Sequence, residues 1–144
     1  MQVRNSQFEK SLLNKIARVA NKLEQEVETE LKVSFALTFS QFKVLEALSR
    51  LGEMSQRELA SALDVTPAVV TRQAEVLSGR GLLVQRSNPL SKRENLLVLT
   101  PKGEQAAHDA AKTVIGRQHA VLESLSLQDE TALDRLLDNL TKHF

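Results

Sequence analysis

The sequence predicts a mostly α-helical fold that contains one small antiparallel β-hairpin. Apolar residues recur every three or four positions along most of the 144-residue chain, which is the spacing of one face of a helix. Several of these stretches begin with a residue pair or quartet that typically starts a helix. The pattern changes only between residues 82 and 99, where two short apolar runs flank a turn-rich, charged connection.

Composition excludes several classes of site. The chain has no cysteine, which excludes disulfides, thiolate catalysis and cysteine-ligated zinc. Only 3% of the residues are aromatic, which argues against a stacking platform for single-stranded nucleic acid. No apolar run resembles a secretion signal or approaches the length of a membrane span, so we expect a soluble, cytoplasmic protein with no membrane partner.

The first segment predicts one long helix with a continuous apolar stripe on one face. The stripe consists of Phe8, Leu12, Ile16, Val19, Leu23, Val27 and Leu31. A helix of about seven turns is longer than a domain of this size needs to cover its core. We therefore expect part of the stripe to pack against a second copy of the chain.

Three shorter helices follow, each with its own start signal. Thr38–Gln41 and Ser55–Glu58 are capping boxes, in which the first side chain and the fourth can each bond the other residue's backbone N–H. Thr66–Pro67 combines a capping threonine with a proline at the first helical position. Gly52 and Gly81 end the second and fourth helices.

A β-hairpin and two more helices complete the prediction. The strands are expected at 82–86 and 95–99, with Lys92 and Arg93 at the tip of the long connection between them. Thr100–Pro101 starts a fifth, alanine-rich helix, and Ser126 caps a leucine-rich sixth.

Two short helices joined by a tight turn and followed by a hairpin form a winged helix-turn-helix. The second of these helices has a polar, short-chained face that could enter a major groove, where Thr71 could meet a thymine methyl group and Arg72 a guanine. The candidate DNA-contacting residues are Ser55, Gln56, Arg57, Thr66, Pro67, Ala68, Thr71, Arg72, Lys92 and Arg93.

The charge distribution favours the same surface. Residues 55–93 contain six basic residues against three acidic ones, a net charge of +3, although the whole chain carries only +1. The final segment from residue 127 has four acidic residues against two basic ones, a net charge of −2. An ordinary solvated surface is the alternative interpretation of both.

Two other functions have less support than DNA binding. An enzyme is disfavoured because the chain has no glycine-rich phosphate loop and no nucleophile motif, and because His108 and His119 stand about 16 Å apart on one helix, too far to share a metal. No catalytic, cofactor or metal residues are therefore assigned. A winged helix that binds protein instead of DNA would not need the basic hairpin or the face that carries Thr71 and Arg72.

The sequence resembles the MarR family of bacterial transcriptional regulators over nearly its whole length. The resemblance rests on four pieces in order: Leu37–Leu45 of the second helix, Gln56–Arg72 of the helix-turn-helix, Leu77–Leu82 at the entry to the wing and Leu99–Gly103 at its exit. It implies a single domain, 1–144, in which 1–35 and 101–144 form a helical dimerisation region and 36–100 the DNA-binding lobe.

The resemblance also implies a function. A homodimeric repressor would place its second motif helices in successive major grooves of a palindromic operator, with the wings in the flanking minor grooves. A small effector, often an aromatic or anionic acid, would release the DNA from a pocket between the first, second and fifth helices, whose residues are unknown. Two positions depart from the family pattern. Ser91 stands where an aspartate usually braces the wing arginine, so that either Arg93 is less fixed or Glu94 takes over. Gln73 stands at a usually apolar position, where it is expected to be partly exposed or hydrogen-bonded.

Overall fold

The protein is described by a computed structural model that covers residues 10–144, so Phe8 of the predicted stripe lies outside the described residues. Within residues 10–144, six helices and three strands follow one another in the order α1 Leu12–Phe35, α2 Phe39–Leu51, β1 Met54–Ser55, α3 Gln56–Ala62, α4 Pro67–Gly79, β2 Leu83–Asn88, β3 Ser91–Leu99, α5 Pro101–Leu122 and α6 Leu127–Thr141. The prediction of a mostly helical winged helix-turn-helix is confirmed.

The helix starts follow the sequence signals closely. Thr38 and Ser55 both form complete capping boxes, with Gln41 and Glu58 reaching back to the capping backbone. Ser126 caps α6 through the backbone N–H of Asp129. These bonds satisfy N–H groups that the first turn of a helix leaves without a partner, so each boundary is encoded within four residues.

The wing differs from the prediction in two ways. The strands are longer than expected, and the turn between β2 and β3 contains only Pro89 and Leu90. Lys92 and Arg93 therefore lie in β3 beside the turn, and the prediction that they occupy the tip of a long loop was wrong. A third strand, β1, pairs antiparallel with β3 through Met54 and Ser55, so the sheet order is β1-β3-β2.

The main core lies between α2, the helix-turn-helix and the sheet. Its fully buried side chains include Leu45 of α2, Leu59 of α3 and Val70 of α4. Asp64, between α3 and α4, has a left-handed backbone with φ of 52°, which turns the chain tightly enough for the two helices to pack. The outer face of α4 is thereby held away from the core.

The end of α4 is attached to two helices of the predicted dimerisation region, α1 and α5. Arg80 donates from its guanidinium to the carbonyl oxygens of Ala36 (2.7 Å) and Phe35 (2.9 Å) at the end of α1. Thr100, which caps α5, donates its hydroxyl to Gly81 O at 2.7 Å. The start of α5 also approaches the backbone of Leu82 so closely that only a glycine fits at position 103.

The outer helices leave much apolar surface exposed. No residue of α6 is buried, and only Val27 and Leu31 of α1 are buried. The exposed large apolar residues of these regions are Leu12, Leu13, Ile16, Val19, Val33, Ile115, Val121, Leu125, Leu127, Leu133, Leu136, Leu137, Leu140 and Phe144. Among residues 10–144, no helix is both long and apolar enough to cross a membrane.

Candidate nucleic-acid interface

One face of helix α4 is exposed and makes few hydrogen bonds or ion pairs with the rest of the chain. Val70, Ala74 and Leu77 are buried, whereas Ala68 and Arg72 are exposed on the opposite side. The buried residues recur every three or four positions, which fixes the rotation of the helix and therefore the direction of its outer face. Of the predicted site residues, α4 and its cap supply Thr66, Pro67, Ala68, Thr71 and Arg72.

The cap of α4 is unlike those of the other helices. Thr66 has the extended backbone of a capping residue, but its side chain makes no capping hydrogen bond. Its hydroxyl is exposed at the start of the helix, where the free N–H groups and the helix dipole favour an anion. This arrangement suits a phosphate oxygen of a nucleic-acid backbone.

A hydrogen bond joins the two helices of the motif. The Thr71 hydroxyl lies 2.6 Å from Gln56 Oε1 and 2.9 Å from the carbonyl oxygen of Pro67. Gln56 opens α3 and Thr71 lies one turn into α4, so the contact fixes the two predicted site residues against each other. It leaves the methyl group of Thr71 as the part of the side chain able to make an apolar contact.

A polar cavity of about 410 Å³ brings the start of the motif and the wing together. Its lining contains predicted site residues from four elements, β1, α3, α4 and β3, together with wing residues that were not predicted from the sequence. The lining residues are Ser55, Gln56, Arg57, Pro67, Gln85, Arg93, Glu94 and Asn95. Gln85 and Asn95 could not be identified from the sequence, because their position depends on the pairing of β2 with β3.

Ser55 has a structural task at this site. It is only 2% exposed, and its hydroxyl accepts the backbone N–H of Glu58. Glu58 in return accepts the N–H of Ser55 at 2.8 Å, and this hydrogen bond lowers the pKa of the Glu58 carboxyl. Ser55 therefore holds the start of α3, and with it Gln56 and Arg57, in place.

The guanidinium of Arg93, on the wing, has no carboxylate partner among the described residues. The backbone N–H of Arg93 donates to Ser91 Oγ at 3.4 Å, so the serine contacts the backbone and not the guanidinium. Glu94 lies 3.7 Å from the Nε atom of Arg57, at the start of α3. Of the two expectations for this position, Glu94 does not take over the role of the aspartate, because it is paired with Arg57, and the alternative of a less fixed Arg93 remains.

The basic residues of the 55–93 segment divide into two groups. Arg80 binds carbonyl groups at the end of α1, Arg86 pairs with Glu53, and Arg57 pairs with Glu94. Arg72, Lys92 and Arg93 are exposed and have no carboxylate within ion-pair distance among the described residues. Within this segment, the positive charge that is available to an anionic partner lies on the outer face of α4 and on the wing.

Other kinds of site have little support in the described part of the chain. Residues 10–144 contain no group of three or more histidine, aspartate or glutamate side chains placed to hold a metal ion.

Gln73 is half-buried, and no buried side-chain polar atom within the described residues lacks a hydrogen-bond partner. The unusual glutamine is thus accommodated at the edge of the core.

Comparison with known sequences finds one family. A family model described as MarR family matches residues 37–94. An uncharacterised HTH-type transcriptional regulator of Bacillus subtilis, YwoH, is 32% identical over 125 residues, which are 86% of this chain and 87% of YwoH.

Solved structures agree over almost the whole chain. The transcriptional repressor CouR, bound to a 23-mer DNA duplex, aligns with a TM-score of 0.86 and 25% identity over 98% of this chain and 99% of CouR. Bordetella bronchiseptica BpsR, whose DNA binding is regulated by 6-hydroxynicotinic acid, aligns with a TM-score of 0.84 and 24% identity over 94% of this chain and 96% of BpsR.

Proposed function

This chain belongs to the MarR family of transcriptional regulators, and we propose that it represses transcription by binding a palindromic operator as a homodimer. The observation that carries the proposal is the outer face of α4, which is exposed, short-chained and provided with Arg72 as a cation that has no carboxylate partner among residues 10–144. A helix of this kind fits a major groove, where base edges can be distinguished.

We assign distinct roles to the site residues. Ala68, Thr71 and Arg72 contact base edges, and Thr66 and Pro67 bring the start of α4 to a phosphate. Gln56 and Arg57 approach the DNA backbone from the start of α3, and Lys92 and Arg93 approach the minor groove from the wing. Ser55 supports the site through its cap.

We further infer the division of labour within the chain. Residues 36–100 form the DNA-binding lobe, and 1–35 together with 101–144 form the dimerisation region. The exposed apolar residues of α1, α5 and α6 support this division, because single soluble chains rarely leave large apolar patches open to water. A second copy would cover them and would place two α4 helices on one operator.

Regulation by a small molecule is part of the proposal. BpsR, which has the same fold, responds to 6-hydroxynicotinic acid, and an aromatic or anionic effector is the corresponding expectation for this chain. A regulator that binds bacterial chromosomal DNA works in the cytoplasm, and we place this protein there.

The test compares two arginines on an operator selected from genomic fragments with the purified protein. Arg72→Ala should weaken the operator more than a scrambled duplex, by about 1–3 kcal/mol of lost discrimination per half-site, because it removes a contact to a base. Arg93→Ala should weaken both duplexes together, since groove electrostatics depend little on sequence. Equal losses on both duplexes for Arg72→Ala would show that α4 does not distinguish bases.

Salt dependence separates this function from protein binding. Log affinity for duplex DNA should fall against log salt concentration with a slope of about −0.9 for each phosphate that the protein neutralises. Exposed Arg72, Lys92 and Arg93 in two subunits predict a steep slope, reduced by roughly one for each phosphate contact removed. A flat salt dependence would favour a winged helix that binds another protein.

A further inference from the structure

Helix α1 carries three cations along one side of its exposed apolar face. Lys15, Arg18 and Lys22 stand at positions i, i+3 and i+7, which lie one above another on a helix. All three are exposed, and with Val19 they line a shallow depression of about 200 Å³. We call Lys15, Arg18 and Lys22 the basic stripe.

Helix α6 carries three residues of the opposite charge in a similar arrangement. Glu130, Asp134 and Asp138 stand at i, i+4 and i+8, on the flank of the apolar face that contains Leu133 and Leu137. We call Glu130, Asp134 and Asp138 the acidic stripe. It spans about 12 Å of helix and the basic stripe about 10.5 Å, at 1.5 Å per residue, so the two have nearly equal lengths.

Neither stripe finds its counter-charge within the described chain. The five ion pairs among residues 10–144 use none of the six side chains. Glu26, one turn after Lys22, pairs instead with Arg117 of α5. Like charges at these spacings repel, so the approach of charges of the other sign would be favourable for each stripe.

We infer that, in the dimer, the basic stripe of one subunit lies against the acidic stripe of the partner subunit. This rests on the dimer proposed above and adds what selects the partner and its orientation. Because the dimer has two-fold symmetry, the contact between α1 of one subunit and α6 of the other occurs twice. The apolar faces supply most of the association free energy, and the stripes fix which flank of α1 meets which flank of α6.

Two charge-reversal variants test the inference. One replaces the basic stripe (Lys15→Glu, Arg18→Glu, Lys22→Glu) and the other the acidic stripe (Glu130→Lys, Asp134→Lys, Asp138→Lys). Each variant alone brings like charges together in both contacts, so its dimer dissociation constant at low ionic strength should rise at least about tenfold. An equimolar mixture restores opposite charges in both contacts and should form a heterodimer with nearly wild-type affinity.

Sedimentation velocity with one variant fluorescently labelled measures both results. The matched control, Arg72→Glu with Lys92→Glu and Arg93→Glu, changes the net charge by the same amount as the basic-stripe variant but on the DNA-facing surface. It should lose DNA binding and keep the wild-type dimer. Rescue by mixing is decisive, because pairing of the stripes within one chain could not be restored by a second chain.

The remaining outcomes overturn the inference. If both variants dimerise as the wild type does, the stripes lie outside the interface while the dimer itself stands. If the basic-stripe variant dimerises normally but loses affinity for duplex DNA or for phosphatidylserine vesicles, the stripe serves another partner. If neither variant folds, alone or mixed, by circular dichroism, the charges are needed within the subunit. A wild-type protein that remains monomeric would instead overturn the proposed function.

Discussion

Gly103 marks the closest approach between the fifth helix and the wing. A Cβ atom there would lie 1.8 Å from the carbonyl oxygen of Leu82, which itself accepts the N–H of Thr100 at 3.1 Å. The obstacle is backbone that is already bonded, so it cannot rotate away as a flexible side chain could. Position 103 therefore accepts only glycine, for a steric reason and not for backbone flexibility.

We expect Gly103→Ala to destabilise the protein by about 1–3 kcal/mol, the usual cost of forcing atoms into a filled site. Urea unfolding at fixed protein concentration measures the change. Gly116→Ala is the control, because it lies in the same helix with nothing within 4 Å of the added methyl group. It should stabilise α5 by about 0.5–1 kcal/mol. Equal effects at the two positions would contradict the proposed clash.

Glu94 places a negative charge inside the candidate DNA surface. It pairs with Arg57, whose side chain is 84% exposed, and exposed pairs of this kind contribute little to stability. A DNA phosphate near Arg57 would be repelled by Glu94. We therefore expect Glu94→Gln to raise operator affinity a few-fold at low salt, measured by fluorescence anisotropy. The control is Glu123→Gln, an equal change of charge at the far end of α5, which should leave operator affinity unchanged. A weaker complex for Glu94→Gln would mean that its pair with Arg57 positions the arginine for binding.

At the scale of elements, a carboxylate joins the first helix to the second. Glu28 of α1 accepts the backbone N–H of Phe39, the first residue of α2, at 2.6 Å, and pairs with Lys32 at 2.8 Å. The bonds from Lys32 and from the Phe39 backbone lower the pKa of Glu28. The charged carboxylate is thus bound more favourably in the folded protein than in the unfolded chain.

This shift predicts how stability depends on pH. Since the folded pKa is lowered, the contribution of Glu28 is complete above its ordinary value of 4.5 and is lost as the pH falls through the folded pKa. The side chain is 31% exposed, so we expect no more than about 1 kcal/mol. Glu28→Gln should therefore destabilise the protein at pH 7 and much less below pH 4, by urea unfolding. Glu24→Gln, one turn earlier, should give no such difference.

Helices could be predicted from the sequence better than strands, because the interactions that start them are local. Thr38 and Ser55 bond residues within their own first turn. Strand β1 has only two residues and no alternation, and it exists because Leu96 and Leu97 of β3 lie beside it, forty residues further along. Lys92 and Arg93 lie in β3 for a different reason: β2 and β3 pair up to Asn88 and Ser91, which leaves only two residues for the turn.

The candidate site was predictable to a similar degree. The apolar residues of α4 recur every three or four positions, and this spacing predicts which face of the helix is exposed. Ala68 and Arg72 lie on that exposed face, as expected. The hydroxyl of Ser55 could be seen to cap a helix or to meet DNA, and only its burial shows that it is used for the cap. Gln85 and Asn95 enter the site through strand register, which a local pattern does not contain.

On the scale of the whole molecule, α6 contributes nothing to the buried core of the described chain. None of its residues is buried, and none belongs to the central apolar cluster. Deleting 127–144 should therefore leave the DNA-binding lobe folded and give a monomer, since the leucine-rich face needed by the dimer is lost. Sedimentation equilibrium measures whether the truncated chain is a monomer, and the helical circular dichroism signal measures whether the lobe remains folded. A truncated chain that remains dimeric would place the interface elsewhere.

Arg80 gives the dimer a consequence for the length of its operator. Its two hydrogen bonds fasten the end of the DNA-reading helix to the end of α1, while the opposite end of α1 belongs to the subunit interface that we propose. The separation of the two reading helices is then a dimension of the protein, and half-sites about 34 Å apart must match it. In such a regulator α4 recognises the bases of each half-site, and α1 fixes the distance between the two half-sites. An operator with correct half-sites at the wrong spacing should therefore not be bound.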